Sequence, residues 1–176
     1  FILNEQNKQR IIKDSQFLNE KIFTDTYYDT KKFSLTSNDL WLRCRDKKFE
    51  LKIPLNKKGE RLVDQYEELE DEQKIKQALN LPSNENLTDS LTKAEYFPFC
   101  TCKTTRKKYK KDIFIIDLDL VDFIDFTYNI GEIELMVNNK SEIENAIEKI
   151  MTFAKEQNLI IAPVRGKVME YLKKTK

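Results

Sequence analysis

Charged and apolar positions alternate along residues 41–53, WLRCRDKKFELKI, with the period of two that marks half-buried β-strands. Trp41, Arg43 and Arg45 share one side, with Leu40, Leu42 and Cys44 on the other. After a short turn, Glu50 and Lys52 oppose Phe49, Leu51 and Ile53. The same alternation returns in IFIIDLDL, where Asp117 and Asp119 face away from Phe114, Ile116, Leu118 and Leu120. In GEIELMV, Glu132 and Glu134 oppose Ile133, Leu135 and Val137. Further strands are predicted over 23–35, where tyrosines and threonines cluster, over 61–69, where Asp64, Tyr66 and Glu68 share a face, and over 97–112, 113–122 and 131–137. Turns fall at 36–39 and 56–59.

Period-3.6 spacing predicts helices between these runs. Ile11, Ile12, Phe17 and Leu18 suggest a moderately amphipathic helix over 4–21. Helices over 70–81 and 84–96, bridged by Pro82-Ser83, would turn Ile75, Leu79, Leu87 and Leu91 inward. Ser141 and Glu144 have capping-box spacing ahead of a stripe of Ile143, Ala146, Ile147, Ile150, Met151 and Ala154. A last helix follows Pro163. The fold class is α+β. About eight antiparallel strands could close into a barrel with the charged residues in its lumen. An open sheet with one solvated face shows the same alternation, with cross-strand ion pairs on that face.

Composition narrows the chemistry. The chain has 176 residues, enough for a single domain with a proper core. Its 31 basic and 30 acidic residues nearly cancel, which argues against a nucleic-acid partner. No apolar run approaches the roughly 20 residues needed to span a bilayer, and no charged segment followed by an apolar one opens the chain. A cytoplasmic protein with no membrane partner is expected. With no histidine and three cysteines, the chain lacks the residues for the usual zinc sites and for a Cys/His dyad. Cys44 reads as a core residue, and Cys100 and Cys102 as strand alternation. Side chains two apart on a strand stand roughly 7 Å from each other and point the same way, so Arg43, Arg45 and Lys52 can converge on a polyanion. The facing carboxylates would repel one another without a cation, and their oxygens suit Mg²⁺ or Mn²⁺. Metal and basic residues together suggest a phosphate chain as ligand.

On these runs the chain resembles the CYTH superfamily, the triphosphate tunnel metalloenzymes, and within it the thiamine triphosphatases. The matching segments are FTDTYYDT at 23–30, WLRCR at 41–45, ELK at 50–52, YEEL at 66–69, TTR at 104–106, DLD at 117–119, GEIE at 131–134, and Lys167 ahead of Tyr171-Leu172. The resemblance implies an eight-stranded antiparallel tunnel with peripheral helices that hydrolyses thiamine triphosphate to thiamine diphosphate and phosphate with Mg²⁺ or Mn²⁺. It implies substrate binding by Trp41, Arg43, Arg45, Lys52, Arg106 and Lys167, and metal binding by Asp117, Glu132 and Glu134. Lys52 and Glu132 would be catalytic, and Tyr66, Glu68 and Asp119 secondary. Trp41 would stack on the thiamine moiety or simply fill space in the barrel. An inorganic triphosphatase, or a non-catalytic polyphosphate- or nucleotide-binding module, would use the same phosphate cradle. The partner would be a small-molecule triphosphate bound by a monomer. The family's Glu-x-Glu-x-Lys strand, which ends in an aromatic residue, would fall just ahead of Phe1, so the chain is expected to be truncated before its first strand, within a single domain spanning 1–176.

Overall fold

The computed structural model describes residues 1–55, 63–160 and 164–175. Helix α1 (Glu5–Ile12) precedes a long strand β1 (Gln16–Asp29), the hairpin β2 (Trp41–Arg45) and β3 (Lys48–Pro54), and β4 (Tyr66–Leu69). Two short helices, α2 (Glu72–Ala78) and α3 (Leu87–Lys93), lead to β5 (Phe97–Lys111), β6 (Phe114–Asp122) and β7 (Thr127–Glu134). Helices α4 (Ile143–Glu156) and α5 (Lys167–Thr175) follow. Among the described residues the sheet has seven strands in the order β4-β3-β2-β1-β5-β6-β7.

The α+β class and the 41–53 hairpin stand as expected. Several boundaries differ. The helix expected over 4–21 ends at Ile12, because Asn4 and Asn7 form a closed capping box at its start and Asp14 takes a left-handed φ of 58° two residues past its end. The chain then extends, and half-exposed Phe17 packs edge-on to Tyr109 rather than under a helix. At the other end β1 stops at Asp29, six residues before the expected end. There the buried Asp29 carboxylate accepts from the backbone N–H groups of Thr30, Leu35 and Thr36 and folds the loop back. Strand β7 starts at Thr127, before the glycine taken as its boundary, and ends at Glu134. The capping box expected at Ser141 does not form. A 3₁₀ turn (Lys140–Glu142) precedes α4, and the Glu142 carboxylate accepts from Asn138 N–H and Asn139 Nδ2 instead. The turn expected at 56–59 and the first residues of the strand expected over 61–69 lie outside the described residues.

The chain divides into two compact units, Phe1–Ile22 with Lys103–Lys176, and Phe23–Cys102. In the first, the apolar side of β6 supplies Phe114, Ile116 and Leu118, which pack with Ile11 of α1, Phe153 and Ala154 of α4, and Leu159. Phe114 and Phe153 stack at 4.3 Å between ring centroids. Each such side chain contributes roughly 1.5–3 kcal/mol when fully buried. The first residues also join this unit: Phe1 N–H donates to Gly131 O at 2.7 Å, Gly131 N–H returns to Phe1 O at 2.9 Å, and Ile2 bridges Ile130 in antiparallel fashion. A Cβ at position 131 would lie 2.1 Å from the Phe1 ring, so glycine permits this approach. In the second unit, Leu42, Phe49 and Leu51 from the apolar side of β2 and β3 pack with Leu35, Ile75 of α2, and Leu87 and Leu91 of α3. The free thiols Cys100 and Cys102 are buried, and Cys44 lies against the core of this unit. In both units burial of the apolar side fixes which side chains appear on the charged side.

Candidate active site

In the first unit, antiparallel register sets Arg106 opposite Asp119, Lys108 opposite Asp117, and Asp117 opposite Glu132. Directly opposed residues share a face, so strand alternation alone builds a charged cluster. Arg106 spans three carboxylates. Its Nε and Nη2 donate to Asp119 at 2.7 and 2.8 Å, Nη2 also reaches Glu132 at 3.1 Å, and Nη1 donates to Asp117. Lys108 Nζ lies 2.6 Å from Asp117 Oδ1 and 3.7 Å from Glu134. Lys167, brought in by the first turn of α5 and almost wholly buried, stands 2.6 Å from Asp119 and donates to Thr104 at 3.4 Å.

Both aspartates are fully buried. Burial alone would raise Asp119, but the Arg106 hydrogen bonds and the Lys167 charge outweigh it and hold the carboxyl below its ordinary range. Glu134 moves the other way: burial and then the neighbouring Asp117 charge push it up, more than Lys108 can offset. Asp117, Glu132 and Glu134 each place an oxygen within 4.8 Å of the others. Three hard oxygen donors at that spacing, one from a fully buried carboxylate and one on a glutamate that resists ionising beside the others, fit a divalent cation of the Mg²⁺ type. Among the described residues, Arg106, Lys108 and Lys167 face the four carboxylates Asp117, Asp119, Glu132 and Glu134.

In the second unit, Arg43, Arg45 and Trp41 share one side of β2, as their spacing predicts, with Glu50 and Lys52 opposite them on β3. They are not bare charges. Arg43 bonds Glu50, Arg45 grips the buried Asp25 with two hydrogen bonds of 2.7 and 2.9 Å, and Lys52 lies 2.7 Å from Glu68. The Arg45 guanidinium also sits 3.9 Å over the Phe23 ring. Each of these cations is thus already held by a carboxylate. Burial pushes the Tyr27 phenol up, and Tyr27 is paired in register with Arg43. Trp41 donates its indole N–H to Asp39 at 3.0 Å, and the Tyr66 hydroxyl donates to the same oxygen at 2.8 Å.

Every candidate named from the sequence therefore lies in one of two charged clusters. Arg106, Lys167, Asp117, Asp119, Glu132 and Glu134 meet in the first unit, and Trp41, Arg43, Arg45, Lys52, Tyr66 and Glu68 in the second. Asp25 and Glu50, which hold Arg45 and Arg43, and Asp39, which accepts from Trp41 and Tyr66, were not singled out by sequence reasoning, nor were Lys108 and Thr104 placed with Asp117 and Asp119. Glu50 was within reach, since a tight hairpin sets it opposite Arg43. Asp25 was not, because its partner depends on the register between β1 and β2.

The CYTH domain model matches residues 1–160. Human thiamine-triphosphatase is 32% identical over 144 residues, 73% of this chain and 61% of that protein. The Macaca fascicularis thiamine-triphosphatase is 31% identical over the same shares. The chain thus spans about three-fifths of the length of these relatives. Among solved structures, the PH1819 protein from Pyrococcus horikoshii OT3 superposes with a TM-score of 0.69 at 20% identity, covering 98% of this chain and 96% of its own. HpAC1 from Hippeastrum, a putative adenylyl cyclase described as revealing a dominant triphosphatase activity, superposes with a TM-score of 0.55 at 16% identity, over 99% of this chain and 93% of its own. At these identities the structural likeness speaks for the fold.

Proposed function

The chain belongs to the CYTH domain family, and we propose that it is a phosphoanhydride hydrolase that converts thiamine triphosphate to thiamine diphosphate and phosphate with Mg²⁺. The observation that carries this reading is the trio of Asp117, Glu132 and Glu134 on the same sheet face as Arg106 and Lys108, with Lys167 beside Asp119. When bound to the trio, Mg²⁺ would supply Lewis-acid polarisation of phosphate oxygens. The chain's own residues do the rest. Arg106 offers a planar fork that can take two phosphate oxygens, and Lys108 and Lys167 add point charges. Asp119 orients Arg106 and Lys167 from beneath. Glu132, which bonds Arg106 and belongs to the trio, would orient water. Catalysis then consists of charge neutralisation and positioning, which is what phosphoryl transfer needs.

The substrate roles proposed for Trp41, Arg43, Arg45 and Lys52 rest on the alternation of β2 and β3 and on family membership, with Lys52 neutralising charge on phosphate and Glu68 and Tyr66 supporting it. The closed eight-stranded tunnel, the monomeric state and the cytoplasmic setting belong to the same proposal. No helix among the described residues is long and apolar enough to cross a membrane. A second reading, inorganic triphosphatase, would draw on the charged residues alone and leave the Trp41–Tyr66 pair without a substrate role.

Phosphate release from thiamine triphosphate, inorganic triphosphate and ATP, each with Mg²⁺ or with EDTA, tests the proposal. Mg²⁺-dependent turnover with the highest kcat/KM for thiamine triphosphate is expected. A higher kcat/KM for inorganic triphosphate selects the second reading, and no metal-dependent release from any of the three overturns both.

A further inference from the structure

Trp41 and Tyr66 stand on strands separated by β3: Trp41 opposes Lys52, and Tyr66 opposes Pro54. One oxygen joins them. Asp39 Oδ1 accepts the indole N–H of Trp41 at 3.0 Å and the hydroxyl of Tyr66 at 2.8 Å, and the indole N–H is also 3.3 Å from that hydroxyl. Both rings are half-buried, so each has its polar edge tied down and part of its surface open. Lys52, set between them in the sheet, pairs with Glu68 and lies 5.8 Å over the Tyr66 ring. The backbone at Asp39 is built for this task. It ends a 3₁₀ turn (Thr36–Asn38) with φ 60° and ψ 26°, its own N–H returning to Thr36 O, and so aims its side chain back at the strand it precedes. That left-handed conformation is one that Asp, Asn and Gly adopt more readily than other residues.

An ordinary core tryptophan would be satisfied by any nearby carbonyl. Here a charged acceptor is shared by two aromatic donors from two strands, which fixes the angle of both rings at once. We propose that Asp39 is a positioning residue that locks Trp41 and Tyr66 into a platform for the heteroaromatic end of an organic triphosphate, and that preference for such a substrate over inorganic triphosphate depends on it. This deepens the functional reading above and rests on it for the identity of the substrate.

Two substitutions separate the acceptor from the backbone. Asp39→Gly keeps access to φ 60° and removes the acceptor. Asp39→Asn keeps both the backbone preference and an oxygen, without the charge. Trp41 is the sole tryptophan of the chain, so near-ultraviolet circular dichroism and tryptophan fluorescence anisotropy report on this ring. In the ligand-free Asp39→Gly protein the indole dichroism should collapse and the anisotropy fall, with Asp39→Asn restoring most of both. In steady-state kinetics, Asp39→Gly should raise KM for thiamine triphosphate about tenfold relative to KM for inorganic triphosphate, the loss expected of one weakened base–aromatic stack. The effect should sit in KM rather than kcat, and Asp39→Asn should recover it. An Asp39→Gly protein with the unaltered indole dichroism overturns the positioning role. A KM that rises equally for both substrates overturns the selectivity role. If the unaltered protein shows no preference for thiamine triphosphate, the functional reading is what fails, and the dichroism of Asp39→Gly decides the positioning role by itself.

Discussion

Glu134→Gln should make the metal-free protein more stable and at the same time remove its response to Mg²⁺. The carboxylate oxygens of Asp117, Glu132 and Glu134 lie within 4.8 Å of one another. Two unit charges at that separation repel by about 3.5 kcal/mol at an effective dielectric of about 20, so Glu134 meets roughly twice that from its two neighbours. Lys108 Nζ, 3.7 Å away, gives back about 4.5 kcal/mol on the same scale. Arg106 offsets part of the rest, and burial, the largest single cause, tips the balance toward loss of the charge. Because the Glu134 side chain is 41% exposed, water screens most of it, and about 1 kcal/mol is a reasonable residue. The direction agrees with the upward shift of the Glu134 carboxyl, caused first by burial and then by Asp117. A carboxyl whose folded pKa is raised holds its proton more tightly when folded, so stability falls as pH rises from its unfolded value through its folded one. At pH 7 the ionised Glu134 therefore costs stability that glutamine does not. For a chain of this size, 1 kcal/mol moves Tm by about 2–4 °C. Differential scanning calorimetry in EDTA at pH 7 should show that rise, and at a pH below about 4, where a glutamate is protonated in either state, the gain should vanish. With Mg²⁺ at 100 times its Kd, the unaltered protein should gain about 2.7 kcal/mol, and Glu134→Gln far less. A variant that is less stable in EDTA, or that Mg²⁺ stabilises as much as the unaltered protein, would refute the assignment of Glu134 to the metal.

The elements most legible in the sequence were those whose partners are close in the chain. The β2–β3 hairpin shows two periods of alternation joined by Asp46 and Lys47, both at positive φ, so local chemistry and burial agree. The long strand β1 was hidden at its start because its partner there lies far away: Phe17 packs on Tyr109, some ninety residues on, and nothing local distinguishes it from a helical residue beside Ile11 and Ile12. Glycine misled at Gly131, where it allows Phe1 to approach a strand already under way. The candidate site was read well as a set of charges on strand faces and poorly as a set of pairs. Alternation places Arg45 on a face, but only the β1–β2 register sets Asp25 against it, and burial of Asp25 turns that neighbour into a fixed partner. Lys108 is a second case: alternation puts it on the same face as Arg106, but only the β5–β6 register sets it against Asp117.

Triphosphate binding measured by calorimetry should weaken by roughly 1.5–3 kcal/mol in each of Arg43→Ala, Arg45→Ala, Lys52→Ala and Arg106→Ala, and by less than about 0.5 kcal/mol in Lys8→Ala or Lys173→Ala. Equal losses throughout would mean that the four cations do not meet the ligand. Trp41→Ala should lower the preference for thiamine triphosphate over inorganic triphosphate through KM, by the about 1–3 kcal/mol typical of base–aromatic stacking; a uniform loss for both substrates would make Trp41 structural. Phe153→Ala should cost about 3–5 kcal/mol in a urea melt, because it empties the position that stacks on Phe114 in the core of the first unit, and a cost below 1 kcal/mol would show that this core re-forms without it. Asp119 should give the protein an acid limb of stability. Its carboxyl is fully buried, and although burial opposes ionisation, Arg106 and Lys167 hold it charged to lower pH than an ordinary aspartate. A depressed carboxyl stabilises the fold above its unfolded value of about 3.9, and that contribution is lost as pH falls through the lower folded value. Asp119→Asn removes the charge while keeping the shape and leaves Arg106 short of one partner and nearly buried Lys167 without its carboxylate at 2.6 Å. Breaking a buried pair from one side costs about 3–5 kcal/mol. Urea melts from pH 7 to pH 3 should therefore show a wide gap between the two proteins at neutral pH that begins to narrow below about pH 4, and a gap of constant width would show that Asp119 acts by packing and not by its charge.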